Sequence, residues 1–574
     1  MTVLPGRLSL PMDSILNEEF SATMNRRDFL KQTGLLMGSL ALGKLASAAM
    51  PSSGASAPAQ GGASKPDVLF IAIEDVSPQR FHTWGNPICQ TPNFDRLASQ
   101  GLRFDLAHCM AAPCNPSRTS LLLGLRPETH GVFGNFTDWH PRVPGRVTMV
   151  EHFKNNGYET IRMGKMFHAE FEDPKSWTEV IDQGEKVQSG KQRKELLGPG
   201  AEMKKTGAPG VPFVYGPSGL EDEEEPDGYN ATQCIKQIEK KRDKPAFITL
   251  GFHRPHLPFT CPDKYFAMYD PNKIPLPVLN EKEKNMKPGG DADMRDDFSM
   301  TDQQKREAIA AEYACITFVD AQVGRVLDAL EKSGKADNTI VVVWSDHGFL
   351  LGEHRCWRKG ALYDKGVMVA LMMKAPGVTK AGSVCKRPVE SIDIFPTLYD
   401  LCGLPMPDQA MECVSMRTIL QNPEAQWKFG ARTMSGNKSH RSLRTEKFRY
   451  TIYPDGKTEL FDYAKDPDEL TNVADDPEYK SVVAELKPKL DGDWKGLLPA
   501  GFALPEQCKR TPKVVNAPPS EKELQKLKQL QATNKENGGS DGEPSSNATS
   551  KPARRRGKTS PRAAASTQEV GSEE

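Results

Sequence analysis

The chain has 574 residues, 26% of them charged and 37% apolar, with 75 basic against 75 acidic side chains. Its length exceeds one average domain and is ample for a large buried core. The zero net charge excludes a global electrostatic case for nucleic acid or a membrane surface as partner. Eleven cysteines over this length exclude a disulfide scaffold, and they show neither a CxxC pair nor a zinc-ligand spacing.

Near the start, Met24-Asn25-Arg26-Arg27-Asp28-Phe29-Leu30-Lys31 precedes a mildly apolar run from Gly34 to Gly43, then Lys44 and the small-residue site Ala46-Ser47-Ala48. Residues 24–48 resemble a twin-arginine export signal with Met24 as a candidate start. The run is shorter than the roughly 20 apolar residues that span a bilayer, so no stable membrane span is expected. The implied location is periplasmic or secreted. Residues 49–65, rich in Ala, Ser, Gly and Pro, read as a linker. Asp67–Ile73 and Thr339–Trp344 are continuous apolar runs suited to strands buried on both faces, and Gln303–Lys332 carries apolar residues at helical spacing. Strands alternating with helices predict an α/β fold, with a mostly parallel central sheet flanked by helices, over residues 66–405. The texture then changes. Arg441–Ile452 reads as an antiparallel strand, with Thr458–Asp462 pairing to it across Pro454-Asp455-Gly456. This predicts a smaller C-terminal α+β subdomain over 406–515 carrying an antiparallel sheet. Residues 516–574, rich in Lys, Gln, Ser and Ala with almost no aromatics, read as a disordered tail.

The strongest chemical signal is Cys114-Asn115-Pro116-Ser117-Arg118-Thr119-Ser120-Leu121-Leu122-Leu123-Gly124. Its apolar end suits a helix that Ser117 caps and Pro116 stiffens at entry. Cys114 then sits at the positive end of the helix dipole, and Arg118 adds a bidentate anion donor. An anionic substrate or product at the cysteine follows. One reading is a thiolate nucleophile, which needs activation because a free thiol has a pKa of about 8.5. The second comes from resemblance, below. Glu74-Asp75 directly follows the first apolar strand, and Asp346-His347 directly follows the second. Ligands of open parallel sheets bind beyond the carboxyl ends of strands, and carboxylates at two such ends suit a hard cation such as Ca²⁺ or Mg²⁺.

The eleven-residue string matches the C-x-P-S-R-x-x-x-x-x-G signature of type I sulfatases, members of the alkaline phosphatase-like superfamily, whose cysteine is oxidised to formylglycine. Further strings fall in that family's order: Gly164-Lys165-Met166-Phe167-His168, Gly251-Phe252-His253-Arg254-Pro255-His256-Leu257-Pro258-Phe259, and Lys359 thirteen residues after Asp346. Ser345-Asp346-His347-Gly348 with Leu351-Gly352-Glu353-His354 looks most like the iduronate-2-sulfatase branch. The resemblance is firm over Pro66–Pro405. One position departs from it: the family's first metal motif is Asp-Asp and here reads Glu74-Asp75. Glu is longer by one methylene, and Ca²⁺, with its irregular geometry, tolerates the change.

The resemblance implies an enzyme, a sulfuric ester hydrolase. In it Cys114 becomes an aldehyde through a formylglycine-generating maturation enzyme, and its hydrated diol attacks the sulfur. Glu74, Asp75, Cys114, Asp346 and His347 would hold the metal. Arg118 and Lys165 would hold the diol, Lys359 and His256 the sulfate, and His168 would take the second hydroxyl's proton. The substrate implied is a sulfated carbohydrate, with Arg126, His130, Trp139, His140 and Arg355 as candidates for the sugar pocket. The rivals are a choline-sulfate-type enzyme, a phosphonate or phosphodiester hydrolase on the same fold, and a non-catalytic glycan-binding protein with a degenerate site at Glu74.

Overall fold

A computed structural model of the chain describes residues 65–168, 171–181, 203–206, 213–284, 300–435 and 440–536. The export signal at 24–48 and most of the linker lie outside the described residues. Eight strands form the central sheet: β1 (Asp67–Ile73), β2 (Leu102–Phe104), β3 (Glu159–Gly164), β4 (Glu179–Ile181), β5 (Ala246–Gly251), β6 (Thr339–Ser345), β7 (Leu371–Lys374) and β8 (Ser383–Cys385). Their order is β8-β2-β7-β6-β1-β5-β3-β4. Only β7 runs antiparallel to its two neighbours, and the other pairings are parallel. The expected α/β sheet is therefore present, with one reversed strand inside it.

The continuous apolar runs follow from burial on both faces. Along β1, Val68, Phe70 and Ala72 enter one core with Ile340, Val342 and Trp344 of β6. Leu69, Ile71 and Ile73 enter a second core with Val341 and Val343. Trp344 is fully buried and lies 6.2 Å from the Phe70 ring. Each buried Val, Leu, Ile or Phe among them contributes about 1.5–3 kcal/mol relative to exposure. Helix α1 (Pro92–Gln100) supplies Phe94 and Leu97 to the second core. Helix α2 (Cys114–Leu123) supplies Leu121, Leu122 and Leu123 to the first. Helix α3 (Pro226–Glu239) and the 31-residue α4 (Asp302–Lys332) add to the second. No helix among the described residues is long and apolar enough to cross a membrane. All eleven cysteines are buried.

The C-terminal part carries an antiparallel sheet of β9 (Ala431–Ser435), β10 (His440–Arg444), β11 (Phe448–Ile452) and β12 (Thr458–Asp462), with Leu486 and Leu490 of helix α5 (Lys480–Asp491) in its core. Two expectations need correction. Arg441–Ile452 is not one strand but a hairpin, closed by Thr445 whose amide donates to the Phe448 carbonyl at 2.8 Å. The expected tail is also helical over α6 (Glu521–Glu536). Buried Glu523 docks α6 by accepting from the Asp138 amide at 2.8 Å and from Arg142 at 3.0 Å. Polar composition hid a helix anchored by charge rather than by an apolar stripe.

Candidate active site

Four adjacent parallel strands, β6, β1, β5 and β3, end on one edge of the sheet, and each hands a pair of polar residues to the same place. Glu74 and Asp75 follow β1, Asp346 and His347 follow β6, Lys165 and His168 follow β3, and His253 and His256 follow β5. The strand ends approach closely. A Cβ on Gly164 would meet the Gly251 carbonyl oxygen at 2.0 Å, and one on Gly251 would meet the Lys165 carbonyl oxygen at 1.9 Å, so both positions require glycine. Asp75 adopts φ +53, which Asp accepts more readily than most residues. Its amide donates to Asp346 Oδ1 at 3.0 Å, locking the two loops together.

Helix α2 points its first residue, Cys114, into this cluster. The cap position is Pro113, so Ser117 is not the expected cap. It lies inside the first turn and donates its hydroxyl to the Asp346 carbonyl, tying helix to strand end. Asn115 holds the helix start to the next loop, donating to the Gly134 and Thr137 carbonyls at 3.1 and 2.8 Å.

Cys114 Sγ lies 2.9 Å from Lys359 Nζ, 3.2 Å from His347 Nε2 and 3.6 Å from Asp75 Oδ1. Ligand atoms of Asp75, Cys114, Asp346 and His347 all fall within 4.8 Å of one another. His347 Nδ1 faces the Gly348 carbonyl at 2.7 Å, so it donates there and leaves the Nε2 lone pair for the cluster. Two carboxylates and one oriented imidazole around residue 114 fit a hard cation. Glu74 stands beside this group and belongs to a neighbouring one with Asp75 and His256. Its two oxygens are met by Lys165 Nζ and, at 3.0 Å, by His253 Nδ1.

Burial by itself would raise the pKa of each of these carboxylates. Lys359, His256 and His347 overcome it at Asp75 and hold that group below the usual range. Lys165, His256 and His253 hold Glu74 well below it, and His347 and Arg118 do the same for Asp346. The Cys114 thiol is pushed well above its ordinary value by burial, which Lys359 opposes without prevailing. Burial thus works against the first reading of Cys114, a thiolate, while Lys359 at 2.9 Å works for it. Burial and then Lys165 push His168 well below the imidazole range, and its Nδ1 has no hydrogen-bond partner among the described residues. Arg118 spends Nε on Asp346 Oδ2 at 2.9 Å and Nη1 on the carbonyls of Lys165 and Met166 at 3.2 and 3.1 Å. Its buried Nη2 is left without a partner. His256 Nε2 lies 3.7 Å from Asp75 Oδ2.

Of the residues expected to hold a metal, Asp75, Cys114, Asp346 and His347 converge and Glu74 stands beside them with His256; Arg118, Lys165 and Lys359 contact this set directly. The sugar-pocket candidates divide. Arg126 is buried in a bidentate pair with Glu390 at 2.9 and 2.6 Å. His130 is buried, receives the Val132 amide on Nδ1 and contacts Ser120 Oγ at 3.0 Å, with burial pushing its pKa down to about 3. Both hold the fold and cannot meet a sugar. Trp139 is buried, with its indole stacked on half-buried His140 at 3.8 Å, and Arg355 is half-buried on a left-handed turn at φ +54. His253, Asn115 and Ser117 were missed as site residues. The first was visible in the sequence as the other histidine of its motif.

The protein-family profile described as "Sulfatase" matches residues 66–404, and that described as "N-sulphoglucosamine sulphohydrolase, C-terminal" matches residues 352–495. The chain is 34% identical over 455 residues to a protein named sulfatase from Formosa agariphila, covering 75% of this chain and 88% of the relative. It is 30% identical over 390 residues to the iduronate 2-sulfatase of Homo sapiens, covering 59% and 70%. Among solved structures, the phosphonate monoester hydrolase of Agrobacterium radiobacter superposes with a TM-score of 0.61 at 24% identity, covering 75% of this chain and 96% of that one; this likeness concerns the fold.

Proposed function

The chain belongs to the sulfatase family and is a sulfuric ester hydrolase, and from that premise we propose that it desulfates sugars through an aldehyde diol made from Cys114. The observation that carries the reading is the focus on Sγ: a cation, an oriented imidazole and a carboxylate lie within 3.6 Å of it at the start of a ten-residue helix. Sγ marks where the diol oxygens of the converted residue would stand.

Asp75, Asp346 and His347, with residue 114 and Glu74 at the edge, would hold a calcium or magnesium ion, whose charge offsets that of the diol and sulfate oxygens. Arg118 and Lys165 fix the diol. One hydroxyl would pass its proton to the Asp75 carboxylate, 3.6 Å from Sγ, as it attacks sulfur; the bond from sulfur to the sugar oxygen breaks, and Lys359 or His256 protonates the departing alkoxide. His168, neutral and with Nδ1 open, takes the proton of the second hydroxyl. The carbon–oxygen bond to sulfate then breaks and the aldehyde returns, so no second attack on an anionic sulfur is needed. The similarity to an iduronate 2-sulfatase supports a sulfated sugar as substrate, with His140 and Arg355 the remaining candidates to line its pocket.

A formylglycine-generating enzyme supplies the oxidant for conversion of Cys114. The Arg26-Arg27 segment supports export after folding. Sulfate release from a panel of sulfated oligosaccharides, run beside aryl sulfates and aryl phosphates, tests the activity. Equal release by Cys114→Ala overturns it. Mass spectrometry of the tryptic peptide Phe104–Arg118 tests conversion. That peptide also contains Cys109, so alkylation of one thiol is expected, and two alkylated thiols throughout would refute the aldehyde.

A further inference from the structure

Glu74 is one methylene longer than Asp75 and stands outside the four-ligand group. Its Oε1 is met by Lys165, and its Oε2, a buried oxygen that no hydrogen bond satisfies among the described residues, lies 3.0 Å from His253 Nδ1 as an ion-pair contact. The His253 backbone is itself fixed: Asp227, buried at the first turn of α3, accepts from the His253 amide at 2.9 and 3.1 Å and from the Arg254 amide at 2.8 Å. The His253 ring also packs against His256, with centroids 5.0 Å apart. The loop after β5 is therefore a rigid arm that ends on the far oxygen of Glu74.

We propose that His253 is a positioning residue that seats the Glu74 carboxylate, so that the length of Glu74 is matched to His253 rather than to the metal. His253 takes Oε2, which turns Oε1 to Lys165 and to the rim of the cation site. An aspartate at 74 would fall short of His253 and would leave that arm, and Lys165, without their shared anion. The inference rests on the cation site of the proposed function.

A double-mutant cycle tests it. Ca²⁺ affinity is measured by calorimetric titration of the unconverted Cys114 protein, which needs no aldehyde and no turnover. Glu74→Asp and His253→Ala are each expected to weaken Ca²⁺ about tenfold, the lower end for residues that orient metal ligands. The double variant is expected to be no weaker than either single. His253→Asn, whose amide nitrogen sits close to the place of Nδ1, is expected to restore most of the affinity. Additive losses, or a Glu74→Asp protein that binds Ca²⁺ as tightly as the parent, overturn the proposal. If His253→Ala does not fold, His253→Leu takes its place in the cycle, filling the space without a donor. On converted protein, the singles are expected to lower kcat more than they raise KM. A coupled cycle with no sulfate release in the parent would break the proposed function alone; sulfate release with additive singles would break this inference alone.

Discussion

Arg126, Glu390, Lys428 and Asp393 make one buried charge cluster; Asp75, Asp346, His347, Arg118 and Lys359 make another. Both are dense in ion pairs; the first is wholly buried, whereas in the second the Lys359 side chain keeps 20% of its surface exposed. In the first, like charges are kept apart by their partners. Glu390 accepts twice from Arg126, once from Lys428 at 2.6 Å and once from the Arg432 amide at 3.0 Å. Asp393 accepts from Lys428 at 2.7 and 2.8 Å and from the Val414 amide at 3.0 Å. In the second, acceptors crowd one another within 4.8 Å, while Arg118 Nη2 and His168 Nδ1 stay unmatched. In the first cluster Arg126 Nε is also left without a hydrogen-bond partner, so what separates the two is the carboxylates: those answered one by one hold the fold, and those that converge on one point await a ligand. Arg126 was a candidate for the sugar pocket because it lies close in sequence to the Cys114 string, and nearness along the chain does not separate the two classes.

The contrast is sharpest at Cys114. Cys114→Ala removes the proposed nucleophile from a well-packed helix start, and it is expected to lower kcat by about 10⁴-fold or more with little change in the denaturant midpoint. Sulfate release and urea unfolding measured on the same preparation check both halves. A variant that loses stability but keeps turnover would place Cys114 in the structural class.

Lys428→Met asks the opposite of the other cluster. It leaves Glu390 and Asp393 buried without their shared cation, a change expected to cost about 3–5 kcal/mol. The fraction that remains folded should keep its kcat/KM. A lowered kcat/KM with unchanged stability would mean that this cluster reaches the substrate.

Chelation separates the clusters without mutation. With Ca²⁺ at about a hundred times its Kd, linkage contributes about 2.7 kcal/mol to the stability of the parent. EDTA should remove that increment together with the activity, and added Ca²⁺ should restore both. Asp346→Asn should show no EDTA-sensitive increment. An increment of the same size in Asp346→Asn would place the cation elsewhere.

The two clusters also differ in how far the chain announces them. Cys114 to Gly124 is a local string, and the carboxylates follow apolar runs whose burial on both faces is readable from composition, so strand ends and site could be placed together. Lys165, His168, His256 and Lys359 gained meaning from order and spacing. The pairing of His253 with Glu74 needed β1 and β5 to be neighbours in the sheet, which no local pattern states. Arg126 and Glu390 are 264 residues apart, and nothing near Arg126 signals its partner. The hairpin within Arg441–Ile452 was blurred because a tight turn of polar residues keeps nearly the same alternation. Helix α6 was hidden because its anchor, Glu523, lies 381 residues from Arg142.

That last contact lies between the two classes and carries the smallest expected effect. Glu523 accepts from the Asp138 amide and from Arg142, and Asp138 in turn accepts from His140 Nδ1 at 2.7 Å. The loop that begins at Gly134 and Thr137 is held at its other end by Asn115, next to Cys114. Glu523→Ala leaves a buried amide and a guanidinium short of an acceptor, a local cost of about 1–3 kcal/mol. Because Asn115 still pins the near end, kcat should be unchanged, whereas loosening of His140 should raise KM for a sugar sulfate by a few-fold and leave KM for a small aryl sulfate as it was. Faster amide exchange at residues 138–142 would accompany it. If KM rises equally for both substrates, the loop bears on the sulfate pocket itself and His140 is no sugar contact.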